Sequence, residues 1–355
     1  MKYYETSFDE YIKSVEKYNI HPELEPIYKS LPDKLQDFEN MIIYGPSGTG
    51  KYSQFLYMLK RYSSSQLKYD KRITAVTDKQ TYIYHISDIH YEVDMSLLGC
   101  NSKTVWSEIF FQIVDIISIK PNKIGVILCK NFHLIHSELL DVFYSYIQQY
   151  NHSNTHLFIK FVLITDSISF IPNNIVNVCQ VVRVERPTMS AYLEINKQSI
   201  EPTTVLNKIM DKSQNPHITT SIQDIFSQIS TSNITNIKEL NSFQLITNNN
   251  LPDDIFNIVC DKIIIDMENI DSFNYIEFRD SLYNILTYNL DTSECVWYIL
   301  FYFIRGNTLS KEDITKIIER TYIFFKYYNN NYRPIYHLES IMFYIINKVN
   351  KFDEL

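Results

Sequence analysis

Ile42-Ile43-Tyr44-Gly45-Pro46-Ser47-Gly48-Thr49-Gly50-Lys51-Tyr52-Ser53 is the stretch that decides the fold. A β-branched run leads into a glycine-rich turn, and the turn opens an amphipathic segment. That context makes G-x-x-x-x-G-K a phosphate cradle. Glycine lets backbone amides point inward without a Cβ in the way, the helix start adds partial positive charge, and Lys51 adds a point charge. The chain has 6 glycines in 355 residues, against roughly 25 at the usual ~7%. Three of the 6 stand in this loop, so Gly45, Pro46, Ser47, Gly48, Thr49, Gly50 and Lys51 are expected to hold a nucleotide phosphate. Tyr52 comes next, where a Ser or Thr hydroxyl ordinarily holds Mg²⁺. Ser53 lies about 100° further around a helix, which weakens the metal site.

Working outward, residues 40 to 185 alternate short β-branched runs with longer amphipathic ones, the pattern of an α/β sheet with helices on its faces. Strands are predicted over Met41–Tyr44, Thr81–Ile86, Ile124–Cys129, Leu157–Thr165 and Val181–Val184, and helices over Tyr52–Tyr62, Thr104–Ser118 and Ser137–Tyr150. Residues 188–248 are polar, rich in Ser, Thr and Asn, and read as a small all-α module. From Asp254 onward the pattern is helical. The composition, 45% hydrophobic and 21% charged with a net charge of -8, excludes a disordered or collagenous chain and a dominant basic arm. Five scattered cysteines without a CxxC suggest neither a disulfide framework nor a zinc ribbon. No secretory leader or membrane span is expected.

Hydrolysis at a phosphate loop needs an acidic pair at the end of a neighbouring strand. The strand Ile124–Cys129 runs instead into Cys129-Lys130-Asn131-Phe132. A lysine there cannot accept a proton at neutral pH, so the strand reads as built for packing and not for hydrolysis.

The order of phosphate loop, buried strand, second strand and helical lid resembles an AAA+ module, and specifically the small subunits of replication factor C, the sliding-clamp loader. Tyr44 to Lys51 matches the family's loop, in which the hydroxyl residue comes two places after the lysine, at Ser53. His90-Tyr91-Glu92-Val93-Asp94 is similar to the stretch after the family's paired strands, and Ile175 to Val184 resembles the segment carrying its Ser-Arg-Cys finger. Leu282 to Thr287 and Ile335-Tyr336-His337-Leu338-Glu339 resemble its collar helices. The implied architecture is an AAA+ P-loop domain with a parallel sheet over residues 1–187, a helical lid over 188–248 and an all-α collar over 249–355.

The resemblance also implies departures. Ser-Arg-Cys becomes Asn177-Val178-Cys179, so Val178 replaces the finger arginine. The family's polar sensor falls on Asp166, whose charge would repel a γ-phosphate by roughly 4 kcal/mol at 4 Å in an effective dielectric of 20, or would turn toward Mg²⁺ together with Ser53. Lys238 falls where an arginine sensor is expected, keeping charge but losing the planar fork. The family's N-terminal Trp-Val-x-Lys-Tyr box is absent from residues 1–30.

A hydrolysis-deficient subunit binding ATP or ADP, with or without Mg²⁺, is the activity that the resemblance implies. Its partners would be sister subunits in a pentameric hetero-oligomer, a sliding clamp and primer-template DNA. The Asn-, Ile-, Lys- and Tyr-rich composition suggests a large DNA virus as source, hence a nucleus or a cytoplasmic viral replication site. An independently active NTPase with Asp166 as metal ligand, and a nucleotide-free scaffold, stay open.

Other features read more plainly. His133 with His136, and His152 with His156, have chelating spacings, but no Cys or carboxylate completes a set. Cys129 reads as a core thiol. Tyr302-Phe303 and Tyr322 to Tyr328 read as core or subunit contacts ahead of base-stacking platforms. Lys60, Arg61, Lys68, Lys71 and Arg72 read as a solvated face ahead of a DNA track.

Overall fold

A computed structural model of the chain describes residues 7–76, 81–99, 101–150, 157–188, 191, 255–269, 273–328 and 333–352. It divides into two compact units, Met1–Asn249 and Asn250–Leu355. Almost all of 188–248, including Lys238, lies outside the described residues, as do His152 and His156.

The first unit is built on a seven-stranded sheet in the order β2-β3-β4-β5-β6-β1-β7. Its strands are β1 (Met41–Tyr44), β2 (Lys71–Val76), β3 (Thr81–Ile86), β4 (His90–Asp94), β5 (Ile124–Lys130), β6 (Phe158–Thr165) and β7 (Gln180–Arg183). β4, β5, β6, β1 and β7 are parallel, and β2 and β3 extend the sheet antiparallel. Strand periodicity sorts the core into two faces. Ile42, Ile127, Cys129, Phe161 and Leu163 point to the side covered by α4 (Ser102–Ile119) and α5 (Ser137–Gln149). Met41, Ile43, Val126, Leu128, Val162 and Ile164 point to the side covered by α1 (Phe8–Lys17) and α3 (Lys51–Leu59). Asn40 ties the central strands at their start: its side chain accepts from Phe161 N–H at 2.8 Å and its carbonyl from Gln180 N–H at 2.7 Å.

The five strands expected from sequence all form, with ends shifted by a residue at most. β2 and β4 are additions. β2 opens with Lys71 and Arg72, and β4 is short and carries a buried carboxylate, Glu92, so neither shows plain alternation. α1, the short α2 (Glu25–Ser30) and the one-turn α6 (Asn173–Val176) are also additions, although Phe8, Ile12 and Val15 are buried at helical spacing. Two residues of the basic stretch fasten this N-terminal segment: Lys60 pairs with Glu16 at 2.6 Å and Arg61 with Asp33 at 3.2 Å.

The second unit shows five helices among the described residues: α7 (Ile255–Glu268), α8 (Tyr275–Thr287), α9 (Thr292–Arg305), α10 (Lys311–Tyr328) and α11 (Pro334–Val349). Asn274 caps α8 through Ile276 N–H and Asp291 caps α9 through Ser293 and Glu294 N–H, as orphan donors at a helix start require. Phe303 and Phe324 are core residues, whereas Tyr302, Tyr322 and Tyr327 are exposed. The sequence Ile335 to Glu339 is a helix–helix contact: Leu338 is buried beside Leu282 and Ile285, and Glu339 pairs with Arg279 of α8 at 2.7 Å. The Arg279 guanidinium also lies 5.5 Å from the Tyr336 ring centroid and 5.9 Å from that of Tyr283. Because Glu339 is largely buried, removing one partner strands the other charge. Arg279→Ala is expected to destabilise the helical unit by about 3 kcal/mol, read as a lower urea midpoint for the far-ultraviolet transition.

Candidate nucleotide site

The glycine loop leaves the C-terminal end of β1, between β6 and β7, where open α/β sheets place their ligands. Each glycine has a separate cause. A Cβ on residue 45 would stand 2.1 Å from the Val184 carbonyl oxygen, so only glycine lets the loop pass the end of β7. Gly48 (φ 70°) and Gly50 (φ 89°) occupy the left-handed region, where L side chains are strained. Thr49 is buried and donates to the Pro46 carbonyl at 2.9 Å.

The loop is propped from behind by the N-terminal segment. His21, fully buried, places Nε2 2.7 Å from the Thr49 carbonyl and Nδ1 2.8 Å from Glu23; a carbonyl partner requires the proton on Nε2. Gln54 of α3 donates to Asn19 and accepts from Tyr28.

Lys51 is 6% exposed, and its ammonium makes three hydrogen bonds: to the Gly45 carbonyl at 2.7 Å, the Pro46 carbonyl at 2.7 Å and Asp166 Oδ1 at 2.6 Å. Asp166 stands just past the end of β6; its N–H donates to His133 Nδ1 at 3.2 Å and its Oδ2 lies 3.6 Å from His133 Nε2. The charge expected to face a γ-phosphate is thus held against Lys51, and an incoming phosphate competes with this carboxylate for the ammonium.

A second polar cluster lies beside the loop helix. Tyr52 donates to Glu92 Oε1 at 2.7 Å, Lys130 donates to Glu92 Oε2 at 3.2 Å, and His90 Nε2 lies 3.1 Å from Oε1. Lys130 Nζ also sits 5.0 Å from the Tyr52 ring centroid, within cation–π range. Burial alone would raise the Glu92 carboxyl. The His90 hydrogen bond, the Lys130 charge and the Tyr52 hydroxyl outweigh it and hold the group at about 2. Burial, then the Glu92 charge, pushes the Tyr52 phenol up, so it remains a donor.

Chemically, the loop has the form of an anion cradle, and the carboxylates Glu92 and Asp166 are both hydrogen-bonded. Cys129 is fully buried in the sheet, and burial pushes its thiol far up, which leaves it a packing group. Ser53 is half-buried on α3. The residues do not fit a Mg²⁺ site: the residue after Lys51 is a tyrosine bound to Glu92, the end of β5 is a lysine, and Asp166 is ion-paired. No cluster of three or more His, Cys, Asp or Glu placed to hold a metal occurs among the described residues. Asn177, Val178 and Cys179 stand at the opposite end of the sheet from the cradle, because Gln180 pairs with Met41. There they border an open cavity of about 780 Å³ with Pro32, Asn40 and Lys160.

Sequence reasoning missed Glu92, His21 and the pairing of His133 with Asp166. One signal existed for Glu92: His90 and Glu92 alternate on one face of a short strand, where a buried acid demands partners.

No protein-family model matches the chain. Replication factor C subunit 5 of Saccharomyces cerevisiae is 23% identical over 358 residues, covering 93% of this chain and 95% of that protein. The chain is thus similar, along nearly its whole length, to a replication factor C subunit. Among solved structures, mutant RuvB from Thermotoga maritima is 13% identical with a TM-score of 0.37, covering 73% of this chain and 79% of that one. PCH-2 of C. elegans is 14% identical with a TM-score of 0.39, covering 69% and 67%.

Glu92 supplies a pH test. Its folded value, about 2, lies below the ordinary 4.5, so the stabilisation is complete above the unfolded value and is lost as pH falls toward the folded one. That contribution is worth about 3 kcal/mol. Urea unfolding from pH 6 to about 2 should show Glu92→Gln with a shallower loss of stability than the parent chain.

Proposed function

We propose that the chain is a clamp-loader-like subunit that binds ATP or ADP at Gly45–Lys51 in a structural role and hydrolyses little. It would work in a hetero-oligomer with sister subunits, placing a sliding clamp on primer-template DNA. The observation carrying this reading is the intact cradle beside a strand end occupied by Cys129 and Lys130, with the nearby carboxylate, Glu92, locked to Lys130 and Tyr52. Water activation needs a free acceptor, and both Glu92 and Asp166 are engaged. The likeness to a replication factor C subunit along both units supports the assembly role, and the place of Val178, far from this chain's own cradle, suits a segment facing a neighbour. The lid, with Lys238 at the sensor position, would close over the nucleotide. Replication in a nucleus or at a cytoplasmic viral site is the matching location. Among the described residues, no helix is long and apolar enough to cross a membrane.

One observation favours a second reading, a nucleotide-free scaffold: Lys51 is satisfied by its own loop and Asp166. Thermal-shift titration with ATP and ADP separates the two. Ligand at about 100 times its dissociation constant should stabilise the chain by about 2.7 kcal/mol, and Lys51→Ala should abolish the shift. No shift with the parent chain means a scaffold. Asp166→Asn, by freeing Lys51, should tighten nucleotide binding about tenfold, as the loss of about 1.4 kcal/mol of competition would give. Weaker binding in that variant would make Asp166 a ligand of the nucleotide's metal.

A further inference from the structure

We propose that this nucleotide site works without a divalent cation; the inference rests on the nucleotide reading of the cradle. A phosphate loop that uses Mg²⁺ takes a hydroxyl from the residue after its lysine and a carboxylate from the end of a neighbouring strand. Here the residue after the lysine is Tyr52 and the strand end is Lys130, while Ser53, one place further on, is half-buried about 100° around α3. Tyr52 fills the first, and its phenol reaches away to Glu92 at 2.7 Å, too long a side chain to present oxygen where a serine would. Lys130 fills the second, 3.2 Å from the same Glu92 and 5.0 Å from the Tyr52 ring centroid. The two residues therefore form one contact, closed behind by His90, whose other ring nitrogen is taken by Ser87.

The remaining acid, Asp166, does not restore the site. Its Oδ1 is bound to Lys51 at 2.6 Å and its Oδ2 faces His133 at 3.6 Å. Glu92 is 1% exposed on its side chain, so it would have to break contacts to Tyr52, His90 and Lys130 before reaching an ion. A dication entering the site would thus meet carboxylates that already carry their own nitrogen partners. The ligand class that fits is a nucleoside di- or triphosphate bound as the metal-free anion by the loop amides and Lys51.

The test is calorimetric titration of the full chain with ADP and ATP, in Mg²⁺ and in EDTA at matched ionic strength. Dissociation constants in the two buffers are expected to agree within about threefold, and a tenfold or greater weakening on chelation overturns the proposal. Absence of binding in both buffers overturns the nucleotide reading and this inference together. The double variant Tyr52→Thr, Lys130→Asp, checked for native circular dichroism, should gain about a tenfold preference for Mg²⁺; a folded variant that stays indifferent overturns the assignment of these two positions. The parent-chain comparison decides the matter even where the double variant does not fold.

Discussion

A buried ammonium group requires a complete set of acceptors, and Lys51 finds its set in the Gly45 and Pro46 carbonyls and the Asp166 carboxylate. That requirement organises the domain. The two carbonyls are available because the loop is held by glycines with positive φ and passes close against Val184 of the neighbouring strand. The carboxylate is available because β6, paired in register with β1, ends beside it. The loop also has a rear support, since His21 takes the Thr49 carbonyl. An anion entering the cradle would compete with Asp166 for the Lys51 ammonium.

Glu92 makes the complementary point. A carboxylate this deeply buried costs several kcal/mol unless it is paired and hydrogen-bonded. It recruits Tyr52, His90 and Lys130, residues from the loop helix, its own strand and the next. In doing so it engages Tyr52, the residue after the loop lysine, and Lys130, at the end of β5. On the proposed reading, the same contacts that hold the sheet's polar centre together would leave the cradle holding phosphate without cleaving it.

Much of this was legible in the sequence. The cradle was, because glycine is scarce in this chain and each one in the loop answers a backbone need. The strands β1, β5 and β6 were, because buried parallel strands read as unbroken apolar runs. β4 was not, since its polar ends and inward acid mask it, and with it went Glu92. Long-range pairing is what sequence withholds: Lys51 and Asp166 are 115 residues apart, and nothing local in either segment names the other. Likewise His21 lies in an N-terminal stretch without a motif, whose Phe8, Ile12 and Leu24 share a buried cluster with Phe55 and Leu56 of α3. Residues 188–248, with Lys238, remain a reading of sequence alone.

The most direct measurement of the central claim is the chemical identity of what the cradle holds. The full chain, equilibrated with radiolabelled ATP and separated rapidly from free nucleotide, should retain label that is recovered as intact ATP, and Lys51→Ala should retain none. Recovery of ADP with released phosphate, at a rate that depends on Lys51, would contradict the account.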